Sequence, residues 1–102
     1  MWSFARTCAE FGVGNYEQAL EWARIATEAM PEYPGAWHYL AANLGHLNRI
    51  EEARAATQQL LRVIPHDNLR MIREILPSAR PERLEKFVDG LRKAGLTEMA
   101  SS

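Results

Sequence analysis

GAWHYLAANLGHLNRIEEARAATQQLLRVIP, residues 35–65, reads as two amphipathic helices joined by a tight turn. In the first, Trp37, Leu40, Ala41 and Leu44 recur at helical spacing and share one face. Asn48 is the expected cap of the second helix, with Glu51 three residues later completing a capping-box pattern. Ala53, Ala56, Leu60 and either Val63 or Ile64 form the apolar stripe of that second helix, and Pro65 ends it.

The same pattern occurs twice. Moved back by about 34 residues, Arg49-Ile50-Glu51-Glu52-Ala53 falls on Asn15-Tyr16-Glu17-Gln18-Ala19, and Pro65 falls on Pro31. A shift shorter by one residue puts Trp37, Ala41 and Leu44 on Phe4, Cys8 and Phe11. Paired helices at this period are a repeat architecture, in which each unit buries its apolar face against its neighbours.

Trp37-x-x-Leu40-Ala41-x-x-Leu44, followed by Ala53 and Pro65, resembles the tetratricopeptide repeat. The departures are Ala41 for the usual glycine, Leu44 for tyrosine, and Thr57 where an aromatic is common. The resemblance covers residues 1–67. It implies an all-α, helical-hairpin solenoid of two repeats, 1–33 and 34–67, with a right-handed superhelical twist. It implies little about activity, because function lives in sites grafted on folds.

Before this stretch, residues 2–12 are expected to form the first helix, and Gly12-Val13-Gly14 the turn. Asn15 is a candidate cap, with Gln18 three residues on. The second helix is apolar over a wide face (Ala19, Leu20, Trp22, Ala23, Ile25, Ala26, Met30), as suits a helix touched from two sides. Pro34 can open the next helix, where its missing N–H matters least.

After Pro65 the repeat pattern stops. Asp67 or Asn68 can cap a short helix with Leu69, Ile72, Ile75 and Leu76 inward, ended by Pro77. Pro81 opens a last helix, where Leu84, Phe87, Val88 and Leu91 make an amphipathic stripe. Gly95 followed by Leu96 is a glycine stop with its hydrophobic follow-on. Residues 68–96 are therefore read as two C-terminal capping helices covering the flank left by the second repeat, and 97–102 as a disordered tail. The closing segment, with Leu76-Pro77, Pro81-Glu82, Glu85 and residues 90–96, is similar to tails that close tetratricopeptide regions of bacterial adenylate or guanylate cyclase-like and winged-helix regulator proteins. That similarity implies the C-terminal part of a larger bacterial protein.

Composition fits one modest core: 102 residues, 47% hydrophobic and 25% charged. A formal charge of −1 gives no general electrostatic reason to expect nucleic acid or an anionic membrane as partner. Ten of the twelve Lys and Arg residues lie from position 49 to 93, but Glu74, Glu82, Glu85 and Asp89 interleave with them. Such a cluster reads either as a basic patch for an acidic partner or nucleic acid or as a solvated face, and pairs such as Glu82–Lys86 favour the solvated face. One cysteine, Cys8, cannot close an internal disulfide, and the start MWSFARTC lacks a signal-peptide pattern, so the cytoplasm is the expected compartment. No apolar run reaches the roughly 18 residues that span a bilayer.

Catalytic constellations do not emerge. His38 and His46 are eight residues apart on one helix, roughly 12 Å along its axis, too far to share a zinc ion without a third element between them. Gly12-Val13-Gly14 lacks the Lys-Ser/Thr of a phosphate loop. Cys8 occupies a small-residue packing position, where a thiol is inert. Neither an enzyme nor a cofactor site is expected.

The resemblance implies a concave face built by the first helix of each repeat. The positions pointing away from the partner helix there are Ala5, Ala9 and Gly12, then His38, Ala42, Gly45 and His46. The Lys and Asn of the carboxylate clamp known in some members are missing from this face, which instead suits an apolar or helical segment of a protein partner. The expected function is a protein–protein interaction module. The alternative is a regulatory or structural appendage of an upstream cyclase-like or transcription-regulator domain. Trp2 and Phe4, apolar at the start of the first helix, also imply a homodimer through the N-terminal helices.

Overall fold

Helical periodicity and turn chemistry divide the chain as the sequence leads one to expect. In the computed structural model, which describes residues 2–65, 68–75 and 81–97, six helices follow one another: α1 (Trp2–Gly12), α2 (Tyr16–Ala29), α3 (Pro34–His46), α4 (Ile50–Val63), α5 (Leu69–Ile75) and α6 (Pro81–Lys93). No strand occurs among the described residues. The class is all-α. The first four helices pack in chain order, each against the next, and turns of three or four residues make neighbours antiparallel.

Three helix ends share one device. After α1, the Gly14 N–H donates to Phe11 O and the Asn15 N–H to Glu10 O, with Gly14 at φ +82°. After α3, Asn48 (φ +60°) donates to Gly45 O and Arg49 to Leu44 O. After α6, Gly95 (φ +98°) donates to Arg92 O and Leu96 to Leu91 O. Each is a Schellman motif, which satisfies carbonyls that a helix end would otherwise orphan. Asn48 is thus the left-handed C′ residue of α3, not the cap of α4; Arg49 holds the cap position without a side-chain cap bond. Asn15 does stand at the cap of α2, but its amide donates to Glu10 Oε1 at 3.3 Å and caps nothing.

The core is rich in alanine. Ala19, Ala23 and Ala26 of α2, Ala36 and Ala41 of α3, and Ala53 and Ala56 of α4 are buried, with Leu20, Leu40, Leu44 and Leu60 filling between them. Small side chains let the helix axes approach closely. Trp37, on the same helical face as the buried Leu40, Ala41 and Leu44, is only half-buried: its indole N–H donates to Pro31 O at 2.8 Å, which holds the ring at the junction of α2 and α3. An indole needs a partner for its N–H, and the carbonyl it finds belongs to the turn. The side chains of Trp2 and Phe4, on which the expected homodimer rests, lie outside the described residues.

Beyond the fourth helix, Asn68 caps α5 by accepting from the Met71 N–H at 2.9 Å, and Leu69 and Ile72 are buried. Of the other residues expected to face inward there, the Ile75 side chain and all of Leu76 lie outside the described residues. Helix α6, expected to cover the second repeat and the short helix after it, makes unequal contacts with them. It packs chiefly on α3, less on α5, and meets α4 only marginally. Its contacts run in the same direction along both helices, His38 beside Phe87 and Gly45 beside Gly90 and Lys93, so α6 lies parallel to α3. Thr97, expected to begin a frayed tail, accepts the Leu69 N–H at 2.8 Å. The remainder of that tail, residues 98–102, lies outside the described residues.

Candidate protein-binding face

The seven residues expected to line a binding face divide into two groups. On α1, Ala5 and Ala9 are exposed and Gly12 is half-buried. On α3, Ala42 and Gly45 are buried, and His38 and His46 are half-buried, because α6 lies across them. The second group is therefore not an open surface in this conformation. It is the seat of an amphipathic helix.

Two glycines set how closely that helix sits. A Cβ added at Gly45 would run into the main-chain carbonyl of Gly90. One added at Gly90 would lie 2.6 Å from Ala42 O and 2.7 Å from Cδ2 of His46. The helices therefore touch backbone to backbone, a contact that side chains of any size would hold apart.

His46 joins both sides of the contact. Its Nε2 lies 2.7 Å from the Lys86 carbonyl. A carbonyl only accepts, so Nε2 carries a proton and donates. The imidazole also stacks on Tyr16 (centroids 4.5 Å apart, planes at 10°), and the Lys86 ammonium is 5.9 Å from the centroid of that tyrosine. Lys86, expected to pair with Glu82, thus has an aromatic face beside it. At the other end of α6, the Thr57 hydroxyl is 2.9 Å from Ala94 O. Ala94 follows the last residue of α6, so its carbonyl has no intrahelical partner, and the hydroxyl, which also lies 3.0 Å from Ala53 O, shares its one proton between the two carbonyls.

Between these ends, Phe87 enters an aromatic cluster around Phe11. Phe11 meets Tyr39 at 5.3 Å, Tyr16 at 5.5 Å and Phe87 at 5.8 Å between centroids, each edge-on, and Phe87 also meets Tyr39 at 4.7 Å and His38 at 6.0 Å. Edge-on pairs of this kind stabilise beyond their buried area. Both histidines are thus engaged in packing. No group of three or more metal-ligating side chains occurs among the described residues, and none of the described helices is long and apolar enough to cross a membrane. Cys8 is half-buried.

Charges elsewhere pair locally. Asp89 lies 3.6 Å from Arg92 and 3.5 Å from Lys93, and Arg70 lies 3.3 Å from Glu74. Glu52 accepts from Arg49 at 2.6 Å and from Arg24 at 3.4 Å, bridging α2 and α4. The Arg49 hydrogen bond, with Arg24 adding to it, holds the Glu52 carboxyl below its usual range.

Sequence reading did not find Gly90, Tyr16 or Tyr39, and took Thr57 only as a departure from a pattern. Gly90 carried a usable signal: a lone glycine inside an amphipathic helix lowers helix propensity and implies a packing reason. No protein-family model, curated protein or solved structure matches this chain.

Proposed function

We infer that this chain is a protein–protein interaction module of the tetratricopeptide kind, without catalysis of its own, that takes an amphipathic helical segment of a protein partner. The observation that carries this reading is the α3 face itself. Its small residues, Ala42 and Gly45, accept a helix at backbone contact, and α6 occupies it. Helix-in-groove binding uses a surface of this kind, read by apolar anchors at i, i+3, i+4 and i+7. The exposed Ala5 and Ala9 of α1 belong to the same proposed face.

The test is selection of displayed amphipathic helices against the full chain, followed by nuclear magnetic resonance mapping of where they bind. Micromolar binders whose footprint includes Ala5, Ala9, His38 and Ala42 would support the reading. Failure to select any, or a footprint confined to the outer sides of α2 and α4, would overturn it. The closure of the α3 face by α6 also favours a second reading, in which the region is a structural or regulatory appendage of a larger bacterial protein. Under that reading no selected helix competes with α6.

A further inference from the structure

The end of α2 breaks a rule that the end of α4 keeps. A helix C-terminus is the negative end of the backbone dipole and favours a cation beside it. Helix α4 has Arg62 in its last turn, whereas α2 has no basic residue there, and the 34-residue shift sets Glu28 on Arg62. Glu32 follows in the turn just beyond. Residues 1–33 hold five glutamates and two arginines, and both arginines are engaged elsewhere. Arg6 lies 5.4 Å from the ring centroid of Trp22, and Arg24 reaches Glu52. Among the described residues no cation pairs with Glu28 or Glu32, and both are exposed.

Apolar surface lies beside these carboxylates. Ile25, where the second repeat has Gln59, is 48% exposed and stands one helical turn before Ala29. From Ala29 an open cleft of about 540 Å³ runs over Met30, Pro31, Glu32 and Tyr33. The turn beneath it is set in advance. The Tyr33 N–H donates to Met30 O at 3.0 Å and the Trp37 indole to Pro31 O at 2.8 Å. Gly35 lets the Tyr33 ring lie close to the backbone, because a Cβ there would come within 2.9 Å of it. A pre-formed surface spares its ligand the cost of ordering it. The repeat itself requires neither the acid nor the isoleucine, since the second repeat puts arginine and glutamine in their places.

We propose that this surface docks a basic segment of a partner protein, with one large apolar side chain in the cleft and Lys or Arg residues against Glu28 and Glu32. Charge complementarity selects the occupant: the carboxylates repel the phosphates of a nucleic acid or an anionic membrane and attract cations. A bound cation also supplies what the end of α2 lacks. The surface is separate from the α3 face and does not rest on the reading given to that face.

The experiment titrates the isotope-labelled full chain with a peptide of one leucine between two pairs of lysines, followed by nuclear magnetic resonance. One control peptide has alanine for the leucine. The leucine peptide should move the resonances of Ile25, Ala29, Glu32 and Tyr33 and bind more tightly than the control. Its affinity should fall about fivefold when Glu28→Gln and Glu32→Gln are combined, and fall further with added salt. Shifts spread over all the exposed carboxylates, equal binding of the two peptides, or an affinity unchanged in the double variant would overturn the proposal. Shifts confined to Ala5, Ala9, His38 and Ala42 would overturn it too, while supporting the α3-face reading. Glu28→Arg tests whether the carboxylate serves folding instead. The melting temperature should rise while peptide binding falls, and a lower melting temperature would assign Glu28 a structural role and overturn the proposal.

Discussion

Gly45→Ala sets two effects of opposite sign against each other. Alanine in a helix interior is favoured over glycine by about 1 kcal/mol, so on an unpacked helix the substitution would stabilise the chain. Here the added methyl points at the Gly90 carbonyl, a backbone atom that cannot rotate away, and Lys93 Cβ stands 3.2 Å off. Helices α3 and α6 must separate to admit it. Overpacking of this kind costs about 1–3 kcal/mol. Separation also stretches the 2.7 Å His46–Lys86 bond, which contributes about 1 kcal/mol. The balance is a net loss of about 1–3 kcal/mol, a large fraction of the stability of a small domain. Urea unfolding followed by circular dichroism measures it. Gly90→Ala and the double variant complete a cycle, in which the second methyl should cost less than the first once the helices are apart. An increase in stability of about 1 kcal/mol for Gly45→Ala would show that the helices have room, and the backbone-contact account would fail.

Thr57→Val keeps shape but leaves the Ala94 carbonyl without its hydroxyl, so a loss of about 1–3 kcal/mol is expected in the same unfolding assay. Trp37→Ala removes a half-buried ring and one hydrogen bond. It should cost about 2 kcal/mol, below the range for fully buried aromatics, and leave the chain folded at 25 °C by circular dichroism. Asn43→Leu replaces a fully buried amide whose Oδ1 has no hydrogen-bond partner among the described residues with an apolar isostere, and the melting temperature should rise. The Glu52 carboxyl is lowered in the folded chain, so its contribution is present above the ordinary carboxylate range and lost as pH falls through the folded value. Glu52→Gln should flatten the acid limb of stability against pH, and added salt should shrink the difference, because the group is exposed.

Much of the fold was legible because helix starts and stops have local chemistry. Pro34 and Pro81 stand at first helical positions, and Gly95 with Leu96 ends α6 as expected. Asn48 misled because asparagine is favoured both as a helix cap and in the left-handed conformation. The repeat itself held the answer, since the 34-residue shift places Asn48 on Gly14, and a position shared by glycine and asparagine is one with positive φ. The resemblance supplied the seven candidate face residues, but not the covering of the four on α3 by α6. An amphipathic stripe at Leu84, Phe87, Val88 and Leu91 says that α6 must bury a face. It does not say against which neighbour. Only the pair of interior glycines, 45 and 90, marks the two helices as partners, and glycine pairs do not stand out in apolar periodicity.

Because α6 occupies the α3 face, the interaction-module reading makes stability and recognition draw on the same atoms. A helix arriving at that face gains what α6 gives up, so its apparent affinity equals its affinity for the open face reduced by the fraction of molecules in which α6 has left. If docking of α6 contributes about 3 kcal/mol, roughly one molecule in 150 is open, and a partner that would bind the open face at about 10 nM binds the resting chain near 1.5 μM. Substitutions that loosen α6 without touching the receptor, such as Gly90→Ala, should therefore lower stability and raise affinity together. Substitutions in the receptor, such as Gly45→Ala, should lower both. That difference in sign separates a displaceable occupant from a purely structural cap, for which neither class of change creates binding.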